Sequence, residues 1–306
     1  MPTERVTPSR PGLFRRLVRR PLAACAAAVL VCMIAAVILS PWIQSALAID
    51  PHNVNLFARH LPPDSAHPLG TDELGRDLLA RLLEGGRISL AVGLMGAFLA
   101  ALIGTVIGLL AGYAGGRADT VLMRLTDAVL ALPLLPLLIV LAALDLHKAG
   151  LPAELANGDR ASVGRIVIIV ALFGWTTIAR LVRAATLSLR RRDFIRAATA
   201  LGAGPARIMW RHILPNIASS IVVATTLSIG NIILTESILS FLGLGIQPPL
   251  VSLGGMLTNA QELIREAPHL AWYPGLAIFL AVIAFNLLGD GLQDALDPRS
   301  TNVKMR

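Results

Sequence analysis

DFIRAATALGAGPARIMWRHILPN, residues 193–216, lies between two long apolar runs and carries Arg196, Arg207 and Arg211. Arg196, Ala197 and Ala198 favour helix, Gly202 and the Gly204-Pro205 pair interrupt it, and residues 208–213 resume an amphipathic pattern before Pro215. The expected shape is helix, glycine turn, helix. An alanine-rich surface broken by glycine suits close docking in a groove of another protein, and the arginines keep the loop out of a bilayer. A solvated connector satisfies the same pattern, so the residues alone leave both roles open.

The sequence on either side is apolar. The chain has 306 residues, 55% of them hydrophobic and 15% charged, with mean hydropathy +0.69. That composition excludes an ordinary soluble domain and marks an integral membrane protein. The net charge of +8 does not point to nucleic acid, because the arginines alternate with apolar spans and form no single basic face. Cys25 and Cys32 fall in one apolar run with no metal-ligand spacing, and residues that far apart on one helix cannot form a disulfide.

Runs of about 20 apolar residues predict an all-α polytopic protein with six transmembrane helices, at 21–43, 88–113, 120–144, 163–187, 217–242 and 272–288. The first run is longer than a signal-peptide core and reads as an uncleaved anchor. Basic residues concentrate at both termini and around residues 180–211. The positive-inside rule then puts both termini and the 193–216 loop in the cytoplasm.

Features within the spans first ask for structural roles. Gly104, Gly108 and Gly112 recur every four residues, which lets another helix approach closely. Pro133 and Pro136 should kink the third span. Arg124 and Asp127, three apart, are expected to neutralise each other. Glu236, near the outer end of the fifth span, either lines a pathway or makes a helix contact. Asn231 and Asn286 join it as polar groups whose burial against lipid would be costly; interhelical hydrogen bonds explain all three equally well.

Between the first two spans lies HPLGTDELGRD, residues 67–77. Pro68 and Gly70 make a turn, and Thr71 or Asp72 can cap a short helix running to Leu83. The spacing of His67, Asp72 and Asp77 matches no standard metal site. The only lysines are Lys148 and Lys304, and neither sits in a Gly-Lys-Ser/Thr phosphate loop. No cofactor and no catalytic arrangement is expected, and any ATP must be hydrolysed by a partner.

Several of these segments carry a family resemblance. Ala197, Ala198, Gly202, Leu214 and Pro215 match the "EAA" loop of ABC importer permeases, with Arg196 where that pattern has Glu and His212 at its apolar position. HPLGTDELGRD, GLLAGYAGG at 108–116, ESILSFLGLGIQPP at 236–249 and PGLAIFLAVIAFNLLGDGLQDALDPR at 274–299 resemble the dipeptide/oligopeptide/nickel permeases, specifically their "C"-type subunit. The outer loop at 147–162 is unlike the family's short linker.

The resemblance implies the type I ABC importer permease fold. It divides the chain into a basic N-terminus and first anchor (1–60), an extracytoplasmic linker (61–87), a permease domain (88–291) and a cytoplasmic tail (292–306). It also implies a heterodimer with a second homologous permease, two ABC ATPase subunits and an extracytoplasmic solute-binding protein, in a bacterial plasma (inner) membrane and without nucleic acid. ATPase docking would fall to Arg196, Ala197, Ala198, Leu201, Gly202, Ala203 and His212, and the pathway to Asn231, Glu236 and Asn286. Di- or oligopeptides are the expected cargo, with nickel chelates, glutathione or cationic peptides as alternatives. The rival classes are an ion-coupled secondary transporter, which would need acids at matched depth, and a membrane enzyme, which would need clustered polar residues facing a cavity.

Overall fold

Proline sets the first helix: α1, Pro21–Ile38, places Pro21 in its first turn, where no backbone N–H is required. The computed structural model describes residues 20–143, 161–258 and 260–296. After α1 come α2 (Ser40–Leu47), α3 (Leu78–Ala114), α4 (Gly116–Ala131), α5 (Leu134–Ala143), α6 (Ala161–Arg190), α7 (Asp193–Ala200), α8 (Leu214–Phe241), α9 (Ala260–Leu263) and α10 (His269–Leu296). Among the described residues there is no β-sheet, only an isolated bridge between Thr71 and Asp77.

Among the described residues five helices are long and apolar enough to cross a membrane: α1, α3, α6, the 37-residue rod Pro205–Phe241 that contains α8, and α10. The third expected span departs from a simple kink. α4 and α5 meet at a 90° bend, and they make a sixth span only when counted together. Leu132 has ψ 136, extended rather than helical, because Pro133 behind it excludes the helical region and offers no N–H.

A later proline does the opposite. Pro215 sits inside the continuous Pro205–Phe241 rod. A π-helical turn at Ile208–Ile213 precedes it, and the Leu214 N–H reaches back to the Met209 carbonyl. The wider turn absorbs the missing donor without breaking the helix.

The closest helix pair is α3 and α6. A Cβ on Gly104 would lie 2.6 Å from the Trp175 carbonyl oxygen, one on Gly108 2.6 Å from that of Ala179, and one on Gly112 2.7 Å from Thr186 Cβ. α8 packs on α10, α3 and α6, and α1 packs on α10. One apolar core contains Val92, Val170, Ile232, Ile233 and Phe285. A second, around Ile178, Val182, Ile195, Ile208, Ile213 and Ile217, pins the 193–216 loop to α6 and α8.

Two sequence expectations are corrected. Asp127 pairs with Arg180 of α6 at 2.5 Å, and Asp119 binds Arg183 through both carboxylate oxygens. Guanidinium groups reaching across from α6 satisfy the α4 acids, and Arg124 makes no ion pair among the described residues. The cap of the second span is Asp77, whose Oδ1 accepts from the Ala80 N–H at 2.9 Å, and the helix runs unbroken for 37 residues. Neither Thr71 nor Asp72 can cap it, because Gly75 at φ +72 reverses the chain after them.

Candidate functional site

The loop after α6 has two faces. Ile195, Ile208 and Ile213 are buried. On the other face Arg196, Ala197, Leu201 and Gly202 are exposed, while Ala198, Ala203 and His212 are half-buried. Leu201 is 89% exposed and Phe194 and Trp210 are also open. The turn depends on Gly202 at φ +83, a left-handed conformation costly for any residue with a Cβ. Around it the Ala203 N–H donates to the Ala198 carbonyl and the Gly202 N–H to that of Thr199, closing the C-terminus of α7. Arg196 stands 3.9 Å from Asp193, an exposed pair of little energetic consequence.

A cavity of 1050 Å³ opens among α4, α5, α6, α8 and the end of α10. Its apolar wall includes Val170, Phe173, Val223 and Ile232. Its polar wall is made of hydroxyls on α6 and α8 with the amides of Asn231 and Gln293. Of the three expected pathway residues, the structure places Asn231 on this wall. Asn286 lies instead at the α8–α10 contact, its Oδ1 3.4 Å from where a Cβ on Gly230 would sit.

Glu236 is fully buried, in the helix-contact alternative. It accepts from Ser89 Oγ of α3 at 2.9 Å and from Ser240 Oγ at 2.6 Å. Ser89 Oγ in turn accepts from the Leu253 N–H at 3.2 Å, and Ser240 Oγ from the Ile246 N–H at 3.2 Å. One carboxylate thus ties α3, α8 and the 242–258 connection together. Ser89 and Ser240 escape a sequence search because isolated serines in apolar helices are common and their partner lies far along the chain.

At the same end of the molecule, Asp72 organises the 67–77 segment. Its carboxylate accepts from the Leu74 and Arg76 N–H groups at 2.8 and 2.9 Å. It also faces Arg76 Nε at 2.8 Å and Arg81 Nε at 3.1 Å. His67 Nδ1 lies 3.0 Å from Asp77 Oδ2. Arg81 is the link from this turn into α3. The three residues weighed as metal ligands are therefore engaged in holding the segment's shape.

Helices long and apolar enough to cross a membrane, packed around a cavity with one polar wall, and an exposed helix–glycine–helix loop at one end fit a membrane permease. Residues 104–302 match the family described as "Binding-protein-dependent transport system inner membrane component", and the chain belongs to it. It is a multi-pass ABC importer permease with the type I fold. A glutathione transport system permease protein of Pectobacterium atrosepticum is 43% identical over 287 residues, covering 94% of this chain and 90% of that protein. A protein of the same name from Escherichia coli O157:H7 is 43% identical over 289 residues, 94% and 89% of the two chains. A Brucella suis protein named "Putative peptide permease protein" is 40% identical over 256 residues, 83% and 80% of the two chains.

Proposed function

We propose that this chain is one half of the translocation pathway of an ATP-driven importer of small peptides, a class to which glutathione belongs as a tripeptide. Relatives named for glutathione and for peptide transport support the cargo class. A second homologous permease supplies the other half of the cavity, two ABC ATPase subunits dock on the 193–216 loops, and a solute-binding protein delivers cargo from outside. Both termini and the loop face the cytoplasm of a bacterial inner membrane, in line with the basic residues around 180–211.

One observation carries the ATPase assignment. Leu201, 89% exposed beside Gly202, is an apolar side chain held in water by a loop whose opposite face is anchored by buried isoleucines. A rigid apolar knob flanked by small residues and arginines fits a protein groove better than a free connector. Arg196, Ala197, Ala198, Gly202, Ala203 and His212 surround it as the docking surface. ATP-driven closure of the ATPase pair would move both loops and rock the two bundles between two packed arrangements.

Reconstitution tests this. The chain alone in nanodiscs should neither bind nor hydrolyse ATP. Uptake should appear only with partner permease, ATPases and binding protein. A cysteine at position 201 should cross-link to the ATPase in the intact complex. Uptake by the lone chain driven by a proton gradient, without ATP, would defeat the reading.

A further inference from the structure

Resting on that reading of a peptide-class cargo, we propose that the wall this chain lends to the pathway carries a hydrogen-bond acceptor patch that favours solutes bearing a free ammonium. Three hydroxyls on the cavity already commit their proton to their own helix. Thr176 Oγ1 donates to the Phe173 carbonyl at 2.9 Å, Ser228 Oγ to that of Ala224 at 2.8 Å and Thr235 Oγ1 to that of Asn231 at 2.8 Å. A hydroxyl has one proton, so the half-buried Ser228 and Thr235 turn lone pairs toward the cavity, while Thr176 is buried behind them.

The rest of the wall sharpens the preference. Among the described residues no Asp, Glu, Lys or Arg lines the cavity. There is no cation to hold a carboxylate and no anion to trap an ammonium. Donors are the amides of Asn231 and Gln293 and the hydroxyls of Thr177 on α6 and of Ser219 and Ser220 near the start of α8. An ammonium brings three donors and an acetylated amine only one amide N–H, so acetylation removes what the acceptors recognise. The absence of an opposing charge keeps each contact weak enough for the solute to leave, as a pathway requires.

The experiment uses the assembled transporter in proteoliposomes with its binding protein. The probes are trialanine, trialanine amide and N-acetyl-trialanine. Each is first titrated against the binding protein so that uptake is compared at equal receptor occupancy. The two ammonium-bearing probes should cross about tenfold faster than the acetylated one, the factor that one hydrogen bond to a charged group is worth. In a Ser228→Ala/Thr235→Val double variant that ratio should fall to about twofold. Thr235→Ser, which keeps an acceptor, should retain the wild-type ratio. Because each ratio is read within one protein, reduced assembly does not mimic the result.

A wild-type ratio near one, or a ratio unchanged in the double variant, would overturn the acceptor wall while leaving peptide import intact. Failure to move any of the three probes by a complex that hydrolyses ATP would instead overturn the peptide reading, and the acceptor wall with it.

Discussion

Gly108→Ala should loosen the α3–α6 pair. The added methyl would lie 2.6 Å from the Ala179 carbonyl oxygen and 2.7 Å from Val182 Cβ. Heavy atoms in contact prefer about 3.5–4.0 Å, so the helices must separate by roughly 1 Å along their most intimate stretch. Overpacking of this kind costs about 1–3 kcal/mol, against about 1 kcal/mol gained when alanine replaces glycine in a helix. Gly275 of α10 supplies the control, since its Cβ would meet nothing within 4 Å. Gly275→Ala should therefore be neutral or slightly stabilising, and the two variants should differ by about 2 kcal/mol. Gly104 faces the same partner helix, so once Gly108→Ala has parted the helices, Gly104→Ala should cost less than it does alone. Unfolding of the chain in nanodiscs, followed by tryptophan fluorescence, measures all four proteins. Equal stability of Gly108→Ala and Gly275→Ala, or strict additivity of the glycine pair, would refute close packing as the purpose of this stripe.

Gly202→Asp should abolish uptake while ATP hydrolysis persists, because it strains a left-handed turn and puts a charge on the docking face; ATPase and uptake rates measured together on one preparation decide it. After Cys25 and Cys32 are replaced, a cysteine at the fully exposed Phe57 should react with a membrane-impermeant reagent in spheroplasts, and one at Trp210 only after permeabilisation. The reverse pattern would invert the topology. Asp72→Ala strands Arg76 and Arg81 around a buried site and should destabilise the chain by about 3–5 kcal/mol, seen as loss of folded protein in fluorescence-detected gel filtration. Wild-type yield and melting behaviour would show that the hub is dispensable.

Apolar runs were legible in the sequence because each span is long and its composition one-sided. The glycine stripe was legible too, since a four-residue repeat states which face is narrow. Helix–glycine–helix geometry at 193–216 followed from Gly202 and Gly204-Pro205. Pairings between distant helices were not legible. Asp127 has an arginine three residues away, yet Arg180 on α6 wins it, a choice made by packing rather than local spacing. Pro133 and Pro215 are alike in sequence but differ in outcome: one ends a helix at an extended Leu132, and the other is absorbed by a π-turn. Asn231, Glu236 and Asn286 carried the same signal of a polar group in an apolar run. Only the three-dimensional arrangement separates a cavity wall from a helix contact and from a buried fastening.

With the loop moved by an ATPase as proposed, the unbroken rod from Pro205 to Phe241 would act as a first-class lever. Midway along, it packs on α10, where Leu227 presses on Gly289 and Gly230 lies against the Val282 carbonyl, and one turn further Ile233 meets Gly93 of α3. A fulcrum there leaves an arm of about 36 Å toward the loop and about 18 Å toward the far end, at about 1.5 Å per residue. A swing of about 4 Å at the loop would thus arrive as about 2 Å at Phe241 and about 1 Å at Glu236. The Ser89–Glu236 hydrogen bond, 2.9 Å long, sits on that short arm, and about 1 Å of movement along it would stretch it beyond hydrogen-bonding range. The rod would therefore gear down a large stroke into a small, forceful one, delivered where a single carboxylate fastens three segments.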